Sequence, residues 1–374
     1  MLNFELNRTL FGEVDFDRIR TEGIKYIGSK EKIIPYILRV IYRLKPKVVF
    51  DGFSGTTRVS QALAKMGYKV ISNDIAVWSK TFATCYLLNK KDKGYYQEMI
   101  NYLNNLPPKF GWFSKHYGGD PSKGEAKKPW QIHNTMKLDA IREEIDKIAV
   151  DEVEKSVLLT SLILALDKVD NTIGHFSAYL KDWAPRSYKE MVLKVPSLII
   201  TDAEHEVYQE DIFNLLPFIE ADVAYYDPPY GSNNDKMPPS RVRYQAYYHI
   251  WTTIIKNDKP KLFGSALRRW DSSDKISYSP FEDFRKNESG KFIALEAIEK
   301  LISETKAKYI VFSYSSMGRV PFQELVETFA KYAKILEIQK INYKKNVMTY
   351  MRWTNEWIKE KDEPNIEYLF LLKK

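Results

Sequence analysis

The chain has 374 residues, with 57 Lys and Arg against 49 Asp and Glu, giving a net charge of +8. A hydrophobic share of 44% beside 28% charged residues is that of a globular protein and excludes a disordered or fibrous one. The single cysteine, Cys85, excludes an internal disulfide and a cysteine-rich zinc site, and no cluster of other ligands suggests a metal. The opening MLNFELNRTLFGEVDF lacks the charged-then-apolar pattern of a signal peptide. No apolar run approaches the roughly 18 residues of a membrane span; the longest, at 157–166, is broken by Thr and Ser. The expectation is a soluble, cytoplasmic protein with no membrane partner. Aromatics make up 14% of the chain, including 25 Tyr. Positive charge interleaved with aromatics suits a polyanion with stackable bases, and it equally suits solubility around an aromatic core.

The elements in chain order begin with a helix at 33–41 behind the turn Tyr26-Ile27-Gly28-Ser29-Lys30. A strand at 47–50 ends in Asp51-Gly52-Phe53-Ser54-Gly55-Thr56, small residues that let backbone approach a ligand. Val59, Leu63 and Met66 carry a helical period that stops at Gly67, and a second strand at 68–72 runs to Asn73-Asp74. Strand, turn, helix and strand in this order open a doubly wound α/β fold. An acid at the position of Asp74 accepts from ribose hydroxyls in such folds, or simply ends a strand. The glycine turn is neither a dinucleotide fingerprint nor a Walker loop, so a cosubstrate without phosphates fits it better than NAD.

Between Asp74 and Asp211 the chain is far longer than a helix and two loops require, so part of it is an insertion. Residues 89–129 are rich in Tyr, Lys, Pro and Gly and have poor periodicity, 138–166 is helical, and 172–196 is polar and aromatic. Lys123, Lys127 and Lys128 lie among Trp112, Phe113, Tyr117 and Trp130 in what reads as exposed loop. Lysines there would meet phosphates and position a nucleic acid without reading its bases.

The α/β style returns with strands at 206–209 and 221–226 and a strand at 308–314. Asp211 follows the first of these and is also a candidate helix N-cap. Helices are expected at 289–305 and 321–333, and strands at 335–341 and 366–372 that pair antiparallel. Asp227-Pro228-Pro229-Tyr230 directly follows the strand at 221–226. It sets an acid, two prolines and an aromatic at the carboxyl edge of a sheet, where α/β proteins bind ligands. The prolines fix φ and bring no N–H, which leaves carbonyls to accept from a ligand. This set suits alkylation of an exocyclic amine on a planar base. Asp227 and the Pro228 carbonyl each accept one N–H bond and draw the nitrogen toward tetrahedral geometry, while Tyr230 stacks on the base. The loop 231–248, with Arg241 and Arg243, is a further substrate contact.

Together these segments resemble the Dam-like, or alpha-type, N6-adenine-specific DNA methyltransferases. The order is that family's: Tyr-x-Gly-x-Lys, glycine turn, strand-end acid, target-recognition insertion and Asp-Pro-Pro-Tyr, followed by Phe312-Ser313-Tyr314-Ser315. The resemblance implies a Rossmann-like core over 1–85 and 200–374, a mostly helical and loop recognition insertion over 86–199, and S-adenosylmethionine as methyl donor. It carries donor binding onto Tyr26, Lys30, Asp74 and Asp227, with Asp51, Phe53, Gly55 and Asp211 at the same pocket. It implies extrusion of an adenine from double-stranded DNA, catalysis by Asp227, Pro228, Pro229 and Tyr230, and a cognate restriction endonuclease as companion. DNA contacts are expected from Lys123, Lys127, Lys128, Arg186, Arg241 and Arg243. The Phe-Ser-Gly-Thr turn departs from the commoner Gly-x-Gly, and the insertion is long.

Cytosine C5 methylation needs a nucleophilic cysteine, and Cys85 on a helical stretch does not offer one. N4-cytosine methylation uses the same physics, usually with Ser in place of Asp227, and stands as the alternative. A non-catalytic DNA-binding module is the alternative from another class, told apart by whether the protein binds S-adenosylmethionine.

Overall fold

Asp222 fixes where the parallel strands begin. Its Oδ2 accepts the N–H groups of Lys47 and Val48 at 2.7 and 2.9 Å, and its own N–H returns to the Val48 carbonyl. The computed structural model in which this is seen describes residues 14–125, 127–232, 243–273, 276, 278–343 and 365–374. It divides into two compact units, each built from separated stretches of chain. The first is Met1–Ile34, Ser54–Glu210 and Arg243–Tyr278; the second is Pro35–Phe53, Asp211–Val242 and Ser279–Lys374. The longer strands are β1 (Val48–Asp51), β2 (Lys69–Asn73), β3 (Glu206–Tyr208), β4 (Val223–Tyr226), β5 (Tyr309–Ser315), β6 (Lys334–Tyr343) and β7 (Asn365–Lys373).

In the second unit β1 pairs with β4, and β4 with β5, all parallel. β7 runs antiparallel to β5, and β6 antiparallel to β7, so four strands point one way and β7 the other. The antiparallel pairing expected for the last two strands is present. Every residue of β4 is buried, the condition of a strand covered on both faces, which is why it reads as a continuous apolar run. Helix Ile34–Leu44 buries Ile37, Leu38, Val40 and Ile41, and helix Ile293–Glu304 buries Ala294, Ile298, Leu301 and Ile302, each on one face.

The first unit carries the parallel pair β2 and β3 and most of the helices. The single helical stretch expected at 138–166 is two helices, Ile132–Ile148 and Glu152–Lys168. Asp151 makes the break, capping the second helix by accepting the Glu154 N–H at 2.7 Å. The stretch 89–129, expected to be irregular, holds helices Lys93–Asn104 and Trp112–Tyr117. Asp92 caps the first of these. The second is capped from a distance: Asp139 accepts the N–H groups of Gly111, Phe113 and Ser114 and the Ser114 hydroxyl, at 2.6–3.0 Å. No local pattern could announce a cap supplied by another helix. Three of the four aromatics expected on exposed loops here are core: Phe113 is 2% exposed, and Tyr117 and Trp130 are fully buried, while Trp112 is half-buried. Among the described residues, no helix is long and apolar enough to cross a membrane.

Asp139→Ala strands several buried donors at once, so it should cost about 3 kcal/mol of unfolding free energy. Urea denaturation measures this; a loss below about 1 kcal/mol would show that packing alone holds the Trp112–Tyr117 helix.

Candidate functional site

In the second unit the site residues sit where β1 and β4 end side by side, with Asp51 level with Tyr225 in the parallel register. The Gly52 N–H donates to the Tyr225 carbonyl at 3.0 Å, and a Cβ on Gly52 would lie 2.7 Å from the Tyr226 ring. Only glycine lets this turn lie so close. Tyr226 is fixed in turn by a 2.9 Å hydrogen bond between its hydroxyl and that of Thr305. Beyond it come Asp227, half-buried, and Pro228, buried. Tyr230 packs edge-on against Tyr314 at 5.2 Å, and its carbonyl accepts the Arg319 N–H at 2.6 Å. Phe53 meets Tyr226 and Phe281 edge-on, and Phe213 stacks on Phe281. Asp51 is fully buried, and Asp211 is the N-cap of the short helix Ile212–Leu215, accepting the Phe213 N–H at 2.8 Å.

In the first unit Asp74 organises the turn that follows Phe53. Its carboxylate accepts the Gly55 N–H through Oδ2 and the Ala76 N–H through Oδ1, both at 2.8 Å. Burial raises the Asp74 carboxyl above its ordinary range, and those backbone N–H groups offset only part of the rise. Gly55 adopts a φ of +51°, and a Cβ there would stand 3.4 Å from the Tyr26 ring. The Tyr26 ring lies 4.5 Å from Tyr248 and 5.1 Å from Tyr244 in near-parallel planes. Burial, then the nearby Tyr244 and Asp74, holds its phenol well above the usual range. The next residue is held through its backbone. Tyr248 Oη accepts the Ile27 N–H at 2.8 Å and donates to the Gly174 carbonyl, and Tyr244 Oη donates to the Ile27 carbonyl. Lys25 pairs with Asp167 and Asp170. Lys30 is buried, its carbonyl accepting the first N–H groups of the following helix.

The basic residues singled out for DNA differ in their surroundings. Lys123 is exposed with Asp120 at 3.6 Å, and Lys127 is exposed. Lys128 is half-buried and donates to the His116 carbonyl at 2.7 Å; burial lowers its amine. Arg186 donates to the Asp170 carboxylate and carbonyl and to the Thr172 carbonyl. Arg243 is the N-cap of helix Tyr244–Tyr247, and Arg241 lies outside the described residues. Sequence reasoning missed Lys25, Asp170, Tyr244 and Tyr248. The two tyrosines stand four apart, a helical-face spacing that could have drawn notice.

The sequence profile of the D12 class N6 adenine-specific DNA methyltransferases matches residues 26–311. The modification methylase StsI of Streptococcus sanguinis is 28% identical over 342 residues, covering 86% of this chain and 48% of the relative. The modification methylase LlaI of Lactococcus lactis subsp. lactis is 28% identical over 341 residues, with 86% and 51% covered. The type II methyltransferase M.NlaIII of Neisseria lactamica is 27% identical over 361 residues, with 94% and 99% covered. The chain thus spans about half the length of the first two and nearly all of the third.

Buried imidazoles brace the segments around the tyrosines. His175 stacks on Tyr247 at 4.4 Å, and His249 faces the Phe176 carbonyl. Burial lowers His175 and His205 to about 4 and His249 to about 3. The unfolded chain protonates them near 6.5 and the folded chain does not, so the stability they confer is present above about 6.5 and is lost as pH falls toward 4. Asp167, raised to about 6 by burial, works the other way, because the folded chain holds its proton where the unfolded chain has released it. Three imidazoles against one carboxyl leave a net loss on acidification of at most about 3 kcal/mol per pH unit. Urea midpoints across this window should fall steadily; a flat profile would show that the folded imidazoles take up protons.

Proposed function

Because the chain belongs to the D12 class of N6 adenine-specific DNA methyltransferases, we propose that it methylates the N6 amine of an adenine flipped out of duplex DNA, with S-adenosylmethionine as donor. The observation that carries this reading is Asp227-Pro228-Pro229-Tyr230 at the carboxyl end of the buried β4. An adenine amine is a weak nucleophile because its lone pair is delocalised into the ring. In this reading the Asp227 carboxylate and the Pro228 carbonyl accept its two N–H bonds, which returns electron density to nitrogen. Pro228 and Pro229 add no competing N–H there, and Tyr230, braced by Tyr314, offers a ring to the base.

The residues present fit the donor. Asp74 accepts a backbone N–H at each oxygen, and its carboxylate retains acceptor capacity for a ribose hydroxyl. Gly55 leaves space beside the Tyr26 ring that a side chain would fill. We assign donor contacts to Tyr26, Lys30, Gly55 and Asp74, and, on the family's pattern, to Asp51, Phe53, Asp211 and Asp227. When bound, S-adenosylmethionine supplies an electrophilic methyl group on sulfonium. Residues 86–199 serve target recognition in this reading, between core segments 1–85 and 200–374. The relatives named as modification methylases and type II methyltransferases support a role in restriction–modification, with a cognate endonuclease as companion.

The test is methylation of plasmid DNA with labelled donor, followed by location of the modified base. Asp227→Ala should lower turnover by at least about 100-fold, on the scale of removing one preorganised transition-state contact, with the melting temperature kept. Near-normal turnover in a folded variant would overturn the assigned role. For DNA, Lys123→Ala with Lys127→Ala should flatten the log–log salt dependence of duplex binding by about 1.8, or 0.9 per phosphate contact. Adding Lys128→Ala should change it little further, because that amine already serves the His116 carbonyl. An unchanged slope in the double variant would remove this surface from the interface.

A further inference from the structure

We propose that the small hairpin formed by Leu262–Phe263 and Arg268–Arg269 is a second DNA-contacting element, a rigid β-ribbon for a duplex groove. The proposal rests on the methyltransferase reading above. The hairpin is its own two-stranded sheet, with Leu262 opposite Arg269 and Phe263 opposite Arg268. A two-stranded ribbon is one of the shapes that a DNA major groove admits.

Its turn is held in a conformation that a free loop would not keep. Leu267 has a φ of +52°, uncommon for a bulky residue, and donates to the Gly264 carbonyl, where φ is +70°. Such backbone persists only where its surroundings over-determine it, and outliers of this kind gather at binding sites. The surroundings here are two tyrosine hydroxyls from separate parts of the preceding chain. Tyr179 Oη donates to the Ala266 carbonyl at 2.7 Å, and the buried Tyr117 donates to the Leu267 carbonyl at 2.9 Å. The base is locked as firmly: Arg269, 3% exposed, pairs with Asp258 at 2.7 Å and Asp271 at 2.5 Å.

That lock also decides the charge of the outer surface. The acids at 258 and 271 are engaged by Arg269, while Lys259 and Lys261 stand exposed. Arg268 lies over the Phe263 ring at 5.1 Å and is tethered to Ser272. Phe263 is 38% and the adjoining Trp270 53% exposed. Preformed backbone, cations and a guanidinium resting on an exposed ring match a polyanion with stacked bases and match no apolar partner. We assign Lys259 and Lys261 to phosphates, and Phe263 and Arg268 to the groove.

The test is fluorescence anisotropy of a labelled duplex carrying the methylated sequence and of a random duplex, over a salt series. Lys259→Ala with Lys261→Ala should reduce the log–log slope by about 1.8 on both duplexes. Phe263→Ala with Arg268→Ala should weaken the target duplex at least tenfold and the random duplex less. Tyr117→Phe with Tyr179→Phe keeps every surface group and frees the turn, so it should weaken both. Thermal protection by S-adenosylmethionine, equal to the parent's in each variant, reports an intact fold. Parent-like affinity and slope in the two surface variants would overturn the proposal while leaving the methyltransferase reading in place. A parent protein that methylates no duplex DNA would instead sink that reading, and the hairpin assignment with it.

Discussion

Position 52 has no room for a side chain, and much of the second unit follows from that. The turn after β1 can press against Tyr226 only because Gly52 brings no Cβ, and its N–H bond to the Tyr225 carbonyl closes the gap. With β1 and β4 parallel and in register, Asp51 and Asp227 leave their strands at neighbouring points on one sheet edge. Carboxylates so placed need the strands beneath them to be immobile. The Asp222 clamp at the start of β1 and the hydroxyl pair of Tyr226 and Thr305 supply that rigidity. A ligand site at the carboxyl edge of a parallel sheet is general; the closeness of this turn to β4 is particular to the residue at 52.

The first unit solves a different problem, which is holding irregular backbone. Tyr26 belongs to a segment with no strand or helix of its own. Ile27 has its N–H and carbonyl taken by Tyr248 and Tyr244, and Lys25 is tied to Asp167 and Asp170. Arg186 joins the same cluster from the other side through Asp170. Its five donors in a fixed fork make it a bracket for the loop at 170–172. The expectation that Arg186 contacts DNA and this bracing role compete for the same guanidinium, and the observed hydrogen bonds favour the bracket.

What the sequence made legible is what depends on local pattern. β1, β2, β4 and β5 announce themselves by apolar runs ending in acids or small residues, and Asp-Pro-Pro-Tyr by its composition and place. The stretch 138–166 was legible as helical, though Asp151 splits it by capping, a role a mid-pattern Asp does not advertise. What stayed hidden is what depends on distant partners. Asp139 caps a helix more than twenty residues upstream, and Lys128 faces a carbonyl that only the folded chain brings near. The aromatics at 113, 117 and 130 misled for the same reason. Charge nearby in sequence read as exposure, while the side chains turn inward.

Those aromatics return to the tyrosine count. The chain has 25 Tyr, and composition alone left them divided between a stacking surface and a core. The structure gives several of them a third role, as buried or half-buried rings whose hydroxyls serve main-chain groups in loops: Tyr117 and Tyr179 at the hairpin, Tyr244 and Tyr248 at Ile27. A buried carbonyl or N–H without a partner is costly, and loops have no ladder to satisfy theirs. Tyrosine answers this where phenylalanine cannot, covering apolar area with the ring and placing one polar atom at a fixed reach. Under the proposed function, a protein that presents irregular segments to a large, charged substrate and keeps them rigid has a physical reason to be rich in tyrosine.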